Sequence, residues 1–151
     1  MPKNTDATAT SAWPRFLAAH ARLVARIEAG LAQAGLPPLA WYDVLWALEQ
    51  APERRLRMSE LADRLVISRS NVTRLVDRLV RAKLVRRAAT EADGRGASAV
   101  LTAKGLEQRA AMWPVYRDGI AERFDRHLSA QEAATLERVF DRMIEADRAS
   151  G

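Results

Sequence analysis

The sequence predicts a mainly α-helical fold with one small β-hairpin, and three observations predict it. Apolar residues recur at helical spacing along most of the chain; the period shortens once, in residues 84–101, around a glycine-containing tip; and the positive charge collects in the segment that ends at that tip. With 151 residues, 48% hydrophobic and 28% charged, the chain suffices for one core and matches neither a disordered nor a membrane composition. Residues 1–11 are expected to be a disordered tail and 12–151 a single domain.

Pro14 suits the first turn of a helix, after which Phe16, Leu23, Val24, Ile27 and Leu31 recur at helical spacing until Gly35 can cap the end. Pro37 and Pro38 open a second helix. Its Leu39, Trp41, Tyr42, Val44, Leu45, Trp46 and Leu48 leave almost no polar face before Pro52, so it should be buried. Ser59 reads as the N-cap of a short helix presenting Leu61, Ala62 and Leu65, and a tight turn at Val66 and Ile67 leads to a second cap, Ser68. Val72, Leu75, Val76 and Leu79 then form one apolar face, and Arg69, Ser70, Asn71, Thr73, Arg74, Asp77, Arg78 and Arg81 share the rest of the circumference. Strands are expected at 84–89 and 98–101, joined by 90–97. Thr102 caps a long helix carrying Leu106, Ala110, Trp113, Ile120 and Phe124, kinked at Pro114. The capping box from Ser129 to Glu132 opens the last helix, with Leu136, Val139, Phe140 and Met143.

Composition removes several classes of function. Cysteine is absent, which excludes disulfides, thiolate nucleophiles, cysteine metal sites and thiol redox sensing. No apolar run approaches the ~18 residues of a spanning helix, and the first residues lack the order of a signal peptide, so a cytoplasmic location is expected and no membrane partner. The two histidines, His20 and His127, fall on different predicted helices, so neither a metal nor a cofactor is expected. No nucleophile paired with a base and no phosphate-binding loop suggests an enzyme.

Charge carries the positive argument. Residues 53–96 hold 12 Lys and Arg against 6 Asp and Glu, whereas 1–52 hold 4 against 4 and 97–151 hold 8 against 9. The net +5 therefore comes from the segment with the two short helices and the hairpin, as expected if that segment faces phosphate. A helix with one apolar face and a face of Arg, Ser, Asn and Thr is what major-groove reading requires. Arginine can grip guanine with two hydrogen bonds and asparagine can do so with adenine, each worth ~1–3 kcal/mol of discrimination. Candidate DNA contacts are Ser68, Arg69, Ser70, Asn71, Thr73, Arg74 and Arg78. At the hairpin tip, Arg95 between two glycines is placed to enter a minor groove, and Arg86 and Arg87 to touch the backbone. The alternatives are a solvated helix face, or a protein-interaction module whose basic side meets an acidic partner.

These residues resemble the MarR (multiple antibiotic resistance regulator) family. The likeness rests on SRSNVTRLVDRLV in the predicted reading helix, on D-x-R at Asp93 to Arg95, on LTAKG at the hairpin exit and on LSAQE at the last helix. It implies a winged helix-turn-helix over about 39–102, with dimerisation helices over about 12–35 and 103–149. It also implies a homodimer on a pseudo-palindromic double-stranded operator. By the same resemblance the protein is a repressor relieved by a small aromatic or phenolic anion, or a regulator without an effector. Trp13, Phe16, Asp43, Trp46 and Trp113, with Arg74 or Arg78 as the cation, are the candidate effector site; the same aromatics can equally be core. Asp43, a carboxylate on an apolar helix, is expected to have an arginine partner. Asp93 is either a residue that orients arginines or a plain turn aspartate. Two positions depart from the family's pattern. Lys83 stands where glycine usually follows the reading helix, which predicts a different cap, and the tip reads DGRG, with one arginine fewer.

Overall fold

The computed structural model describes residues 5–65, 67–89 and 96–151, with 5–10 as backbone only. Helix α1 (Thr5–Gln33) is followed by α2 (Leu39–Gln50), β1 (Arg55–Arg57), α3 (Met58–Leu65), α4 (Arg69–Arg81), β2 (Val85–Ala89), β3 (Ala97–Leu101), α5 (Ala103–Arg123) and α6 (Ala130–Ser150). Two units partition them: Ile27–Tyr116, and α1 up to Arg26 together with Arg117–Gly151.

Four sequence expectations change. Helix α1 begins at Thr5, so Pro14 lies inside it and not in its first turn. Alanines 7, 9 and 12 favour helix, and Pro14 removes only one N–H from the ladder. Helix α3 begins at Met58, which places Ser59 within it. The capping contact comes instead from Glu60, whose carboxylate accepts the Arg57 N–H at 3.3 Å. A third strand, β1, was not foreseen; it pairs antiparallel with β3 (Arg55 opposite Val100, Arg57 opposite Ser98) and gives the sheet order β1-β3-β2. Lys83 does not need a different cap. It adopts the left-handed conformation itself, at φ 64°, with its N–H on the Val80 carbonyl (2.9 Å) and the Leu84 N–H on the Leu79 carbonyl (3.0 Å). That is the paired-bond helix ending usually built with glycine. Gly35 closes α1 the same way, at φ 70°, with Leu36 N–H on Leu31 and Gly35 N–H on Ala32.

The Ile27–Tyr116 unit closes around a hydrophobic core of Val44, Leu45 and Leu48 from α2, Leu56 from β1, Leu61 from α3, Val72, Val76 and Leu79 from α4, Leu84 from the turn before β2, and Val85, Ala99 and Leu101 from the sheet. The LTAKG segment ties this sheet to α5. Thr102 donates its hydroxyl to the Lys83 carbonyl (2.7 Å) and accepts the Gly105 N–H (3.0 Å), capping α5. Lys104 Nζ donates to the Ala82 carbonyl (3.1 Å), covering an open acceptor at the end of α4. A side chain at Gly105 would place its Cβ 2.1 Å from the Leu84 carbonyl oxygen. Helix α5 continues through Pro114 to Arg123.

In the other unit, Trp13 and Phe16 pack at 5.9 Å and Phe16 meets Phe140 of α6 at 5.8 Å between ring centroids. Ser129 caps α6 with the capping box foreseen: its Oγ accepts the Glu132 N–H and Glu132 accepts the Ser129 N–H. Yet no residue of α6 is buried, and Trp13, Phe16, Leu17, Phe124, Met143 and Ile144 are all exposed.

Candidate nucleic-acid interface

Helix α4 is built as a two-sided object. Its apolar stripe, Val72, Val76 and Leu79, is sealed in the core at 0–1% exposure, which fixes the rotation of the helix about its axis. The opposite side is therefore forced outward: Arg69, Ser70, Asn71, Thr73, Arg74, Arg78 and Arg81 are exposed. Ser68 sets where the helix begins. Its Oγ accepts the Asn71 N–H at 3.3 Å and lies 3.2 Å from the Ser70 hydroxyl. The Thr73 hydroxyl donates to the Arg69 carbonyl (2.9 Å), which leaves Thr73 an acceptor with no proton to offer a ligand.

Arg86 and Arg87 follow on β2, both exposed. Arg87 is not free: its guanidinium lies 2.6 Å from the Asp77 carboxylate, linking α4 to β2. This pair was missed in the sequence, where Asp93 was considered for the role of orienting arginines. Asp93, Gly94 and Arg95 lie outside the described residues, and the expected minor-groove contact of Arg95 lies there with them.

The candidate effector residues divide. Trp13 and Phe16 belong to the flanking unit, Asp43, Trp46, Trp113, Arg74 and Arg78 to Ile27–Tyr116. Within the latter, Trp46 and Trp113 both stack against Tyr42, at 6.4 and 6.1 Å, and Tyr116 meets Tyr42 edge-on at 4.9 Å. Neither Arg74 nor Arg78 is the cation of this cluster; Arg109 is, 5.2 Å above the Trp46 ring. Arg109 also forms a two-pronged ion pair with Glu49, Nη2 to Oε1 at 3.1 Å and Nε to Oε2, with both side chains largely buried. Tyr42, Trp46 and Glu49 follow an i, i+4, i+7 spacing on α2, as do Arg109, Trp113 and Tyr116 on α5. Two matched stripes are the signal that sequence reading could have used.

The expected arginine partner of Asp43 is overturned: among the described residues it forms no ion pair, and the arginine goes to Glu49. The cost is small because the residue lies at the surface, although desolvation, then the charge of Glu28, raises its carboxyl above the ordinary 3.8. Burial likewise raises the phenols of Tyr42 and Tyr116. His20 stacks near Phe16 at 6.3 Å, and no group of three potential metal ligands gathers among the described residues.

An exposed polar helix carried on a buried stripe, preceded by a short helix and flanked by a hairpin, defines a winged helix-turn-helix protein. The chain belongs to the MarR family of transcriptional regulators, which are not enzymes. The family matches over residues 34–96. The chain is 30% identical to AbsC, a MarR family transcriptional regulator from Streptomyces coelicolor, with 99% of each chain covered and a TM-score of 0.86. It is 28% identical to Sco3205, another such regulator from that organism, solved in complex with DNA (97% of this chain, 91% of that one, TM-score 0.87). A mutant of MarR from E. coli, complexed with operator DNA, shares the fold at 20% identity (93% and 99% covered, TM-score 0.79). No curated protein sequence matches.

Proposed function

We propose that the protein is a sequence-specific double-stranded DNA-binding regulator that works as a homodimer on a pseudo-palindromic operator. The observation that carries this reading is the outward row of Arg69, Ser70, Asn71, Arg74 and Arg78 on a helix whose other side is locked in the core. Asn71, Arg74 and Arg78 supply base-edge hydrogen bonds; Ser68, Ser70 and Arg86 bind backbone. The Asp77 to Arg87 ion pair holds α4 against β2. Homodimerisation is supported by the exposed apolar residues of α1 and α6, Phe16, Leu17, Met143 and Ile144 among them, which a second copy would cover. Two copies present two reading helices, matching half-sites ~34 Å apart.

On this reading the protein is a cytoplasmic repressor, its bound dimer covering the operator; no described helix is long and apolar enough to cross a membrane. A small aromatic or phenolic anion is its effector. Support for that comes from Trp46 and Trp113, both partly exposed and both stacked on Tyr42, which together form an aromatic wall. Selection of bound duplexes from a random pool tests the reading. The expected product is an inverted repeat with half-sites about one helical turn apart, whose preference relaxes in Asn71→Ala. Recovery of unrelated duplexes by the wild-type protein would favour the protein-interaction module instead.

A further inference from the structure

A concavity of about 420 Å³ lies beside the amino-terminal end of α4. Its walls are Arg57 from β1, Met58 and Ser59 from α3, Arg69 and Thr73 from α4, and the backbone entering β3. Two guanidiniums line it and, among the described residues that do so, no acid. Arg69 makes no ion pair among the described residues, and Ser59 keeps its hydroxyl proton uncommitted there. Arg57 has one carboxylate nearby, Glu60, 4.0 Å from its Nε, with both side chains more than half exposed. That carboxylate is occupied by the Arg57 backbone N–H, which leaves most of the guanidinium fork available. Thr73 is no donor here, its proton being spent on the Arg69 carbonyl.

Resting on the DNA-binding reading, we propose that in each protomer this concavity seats one phosphodiester of the bound duplex, held by Arg57, Ser59 and Arg69, with Arg69 gripping backbone at the edge of the row whose Asn71, Arg74 and Arg78 read bases. Guanidinium forks match phosphate oxygens in charge and geometry, and a hydroxyl with a free proton completes the donor set. Met58 and Ser59 are also the first residues of α3, where backbone N–H groups lack helical acceptors. The contribution of the seat is register: a phosphate fixed beside Arg69 sets how far α4 slides along the groove, and Arg57 does this without reading a base.

The test is the salt dependence of duplex affinity for the wild type, Arg57→Ala, Arg57→Gln and Ser59→Ala between about 50 and 200 mM salt. Both Arg57 variants, which lose the seat in both protomers of the dimer, are expected to bind at least roughly 10-fold more weakly, with the slope of log K against log salt shallower by about 1.8, about 0.9 for each seat, and the order of preferred sequences unchanged. Ser59→Ala loses on the order of threefold with no change of slope. In duplexes carrying one neutral methylphosphonate at the symmetry-related position of each half-site, one such pair makes wild type and Arg57→Ala bind equally, which identifies the seated phosphates. Should both Arg57 variants keep the wild-type slope, the seat is refuted while DNA binding stands. If inorganic phosphate alone stabilises the wild type and not Arg57→Ala, and the slopes agree, the site takes free phosphate and the proposal fails. A wild type that binds no duplex defeats the underlying reading first, before any variant is compared.

Discussion

The unit Ile27–Tyr116 and the flanking helices are made of the same material, amphipathic helices of ordinary composition, but only the first closes a core. On α4, Val72, Val76 and Leu79 are at 0–1% exposure; on α6, Met143 is at 61% and Ile144 at 49%, and no residue of that helix is buried. Helix propensity and a sound cap therefore do not make a helix self-sufficient. Helix α6 has a complete capping box, worth about 1 kcal/mol, yet none of its side chains gains the larger energy of burial within this chain. The Ile27–Tyr116 unit is held by its own packing, and under the proposed homodimer the flanking unit gains stability on association.

Truncation tests this contrast most strongly. Leu79→Ala should cost about 2–5 kcal/mol in urea unfolding, whereas Met143→Ala in dilute protein should cost a few tenths and show itself only in the concentration dependence of the melt. Equal costs from the two truncations would break the comparison. A smaller effect sharpens it: Glu49→Ala strands Arg109 inside the reading unit and should cost about 1–3 kcal/mol, while pairing Glu49→Leu with Arg109→Met recovers most of that loss. Thermal melts of the two singles and the double give the coupling directly. The smallest effect has the opposite sign. Lys83→Gly relieves a left-handed φ of 64° and should stabilise by about 0.5–1 kcal/mol, read as a raised midpoint in the same urea titration.

How much the sequence revealed follows from how far its signals reach. Helix α4, its Ser68 cap and its outward row were all readable, because a helical period and a cap are local. Strand β1 was not: Arg-Leu-Arg offers three residues of alternation, and only pairing with β3, more than 40 residues on, makes it a strand. The Glu49–Arg109 pair spans 60 positions, and the carboxylate that looked anomalous by composition, Asp43, stays at the surface while Glu49 takes the guanidinium. Thr102 and Gly105 were visible as part of a motif, but their work became clear only when Thr102 met Lys83 and Gly105 met Leu84. The mutual stacking of Tyr42 with Trp46 and Trp113, and Arg109 over Trp46, depends on how α2 and α5 pack and was not readable from either helix alone.

Gly105 and Gly35 have unlike tolerances to genetic change. Gly35 has open space around it and needs only a residue that accepts φ 70°, so asparagine is a workable replacement there. At Gly105 the obstacle is the Leu84 carbonyl, part of the main chain, and any codon that encodes a β-carbon forces the strand and the helix apart. In a library sampling every amino acid at both positions, the survivors at 35 should form a short spectrum, and those at 105 a single letter.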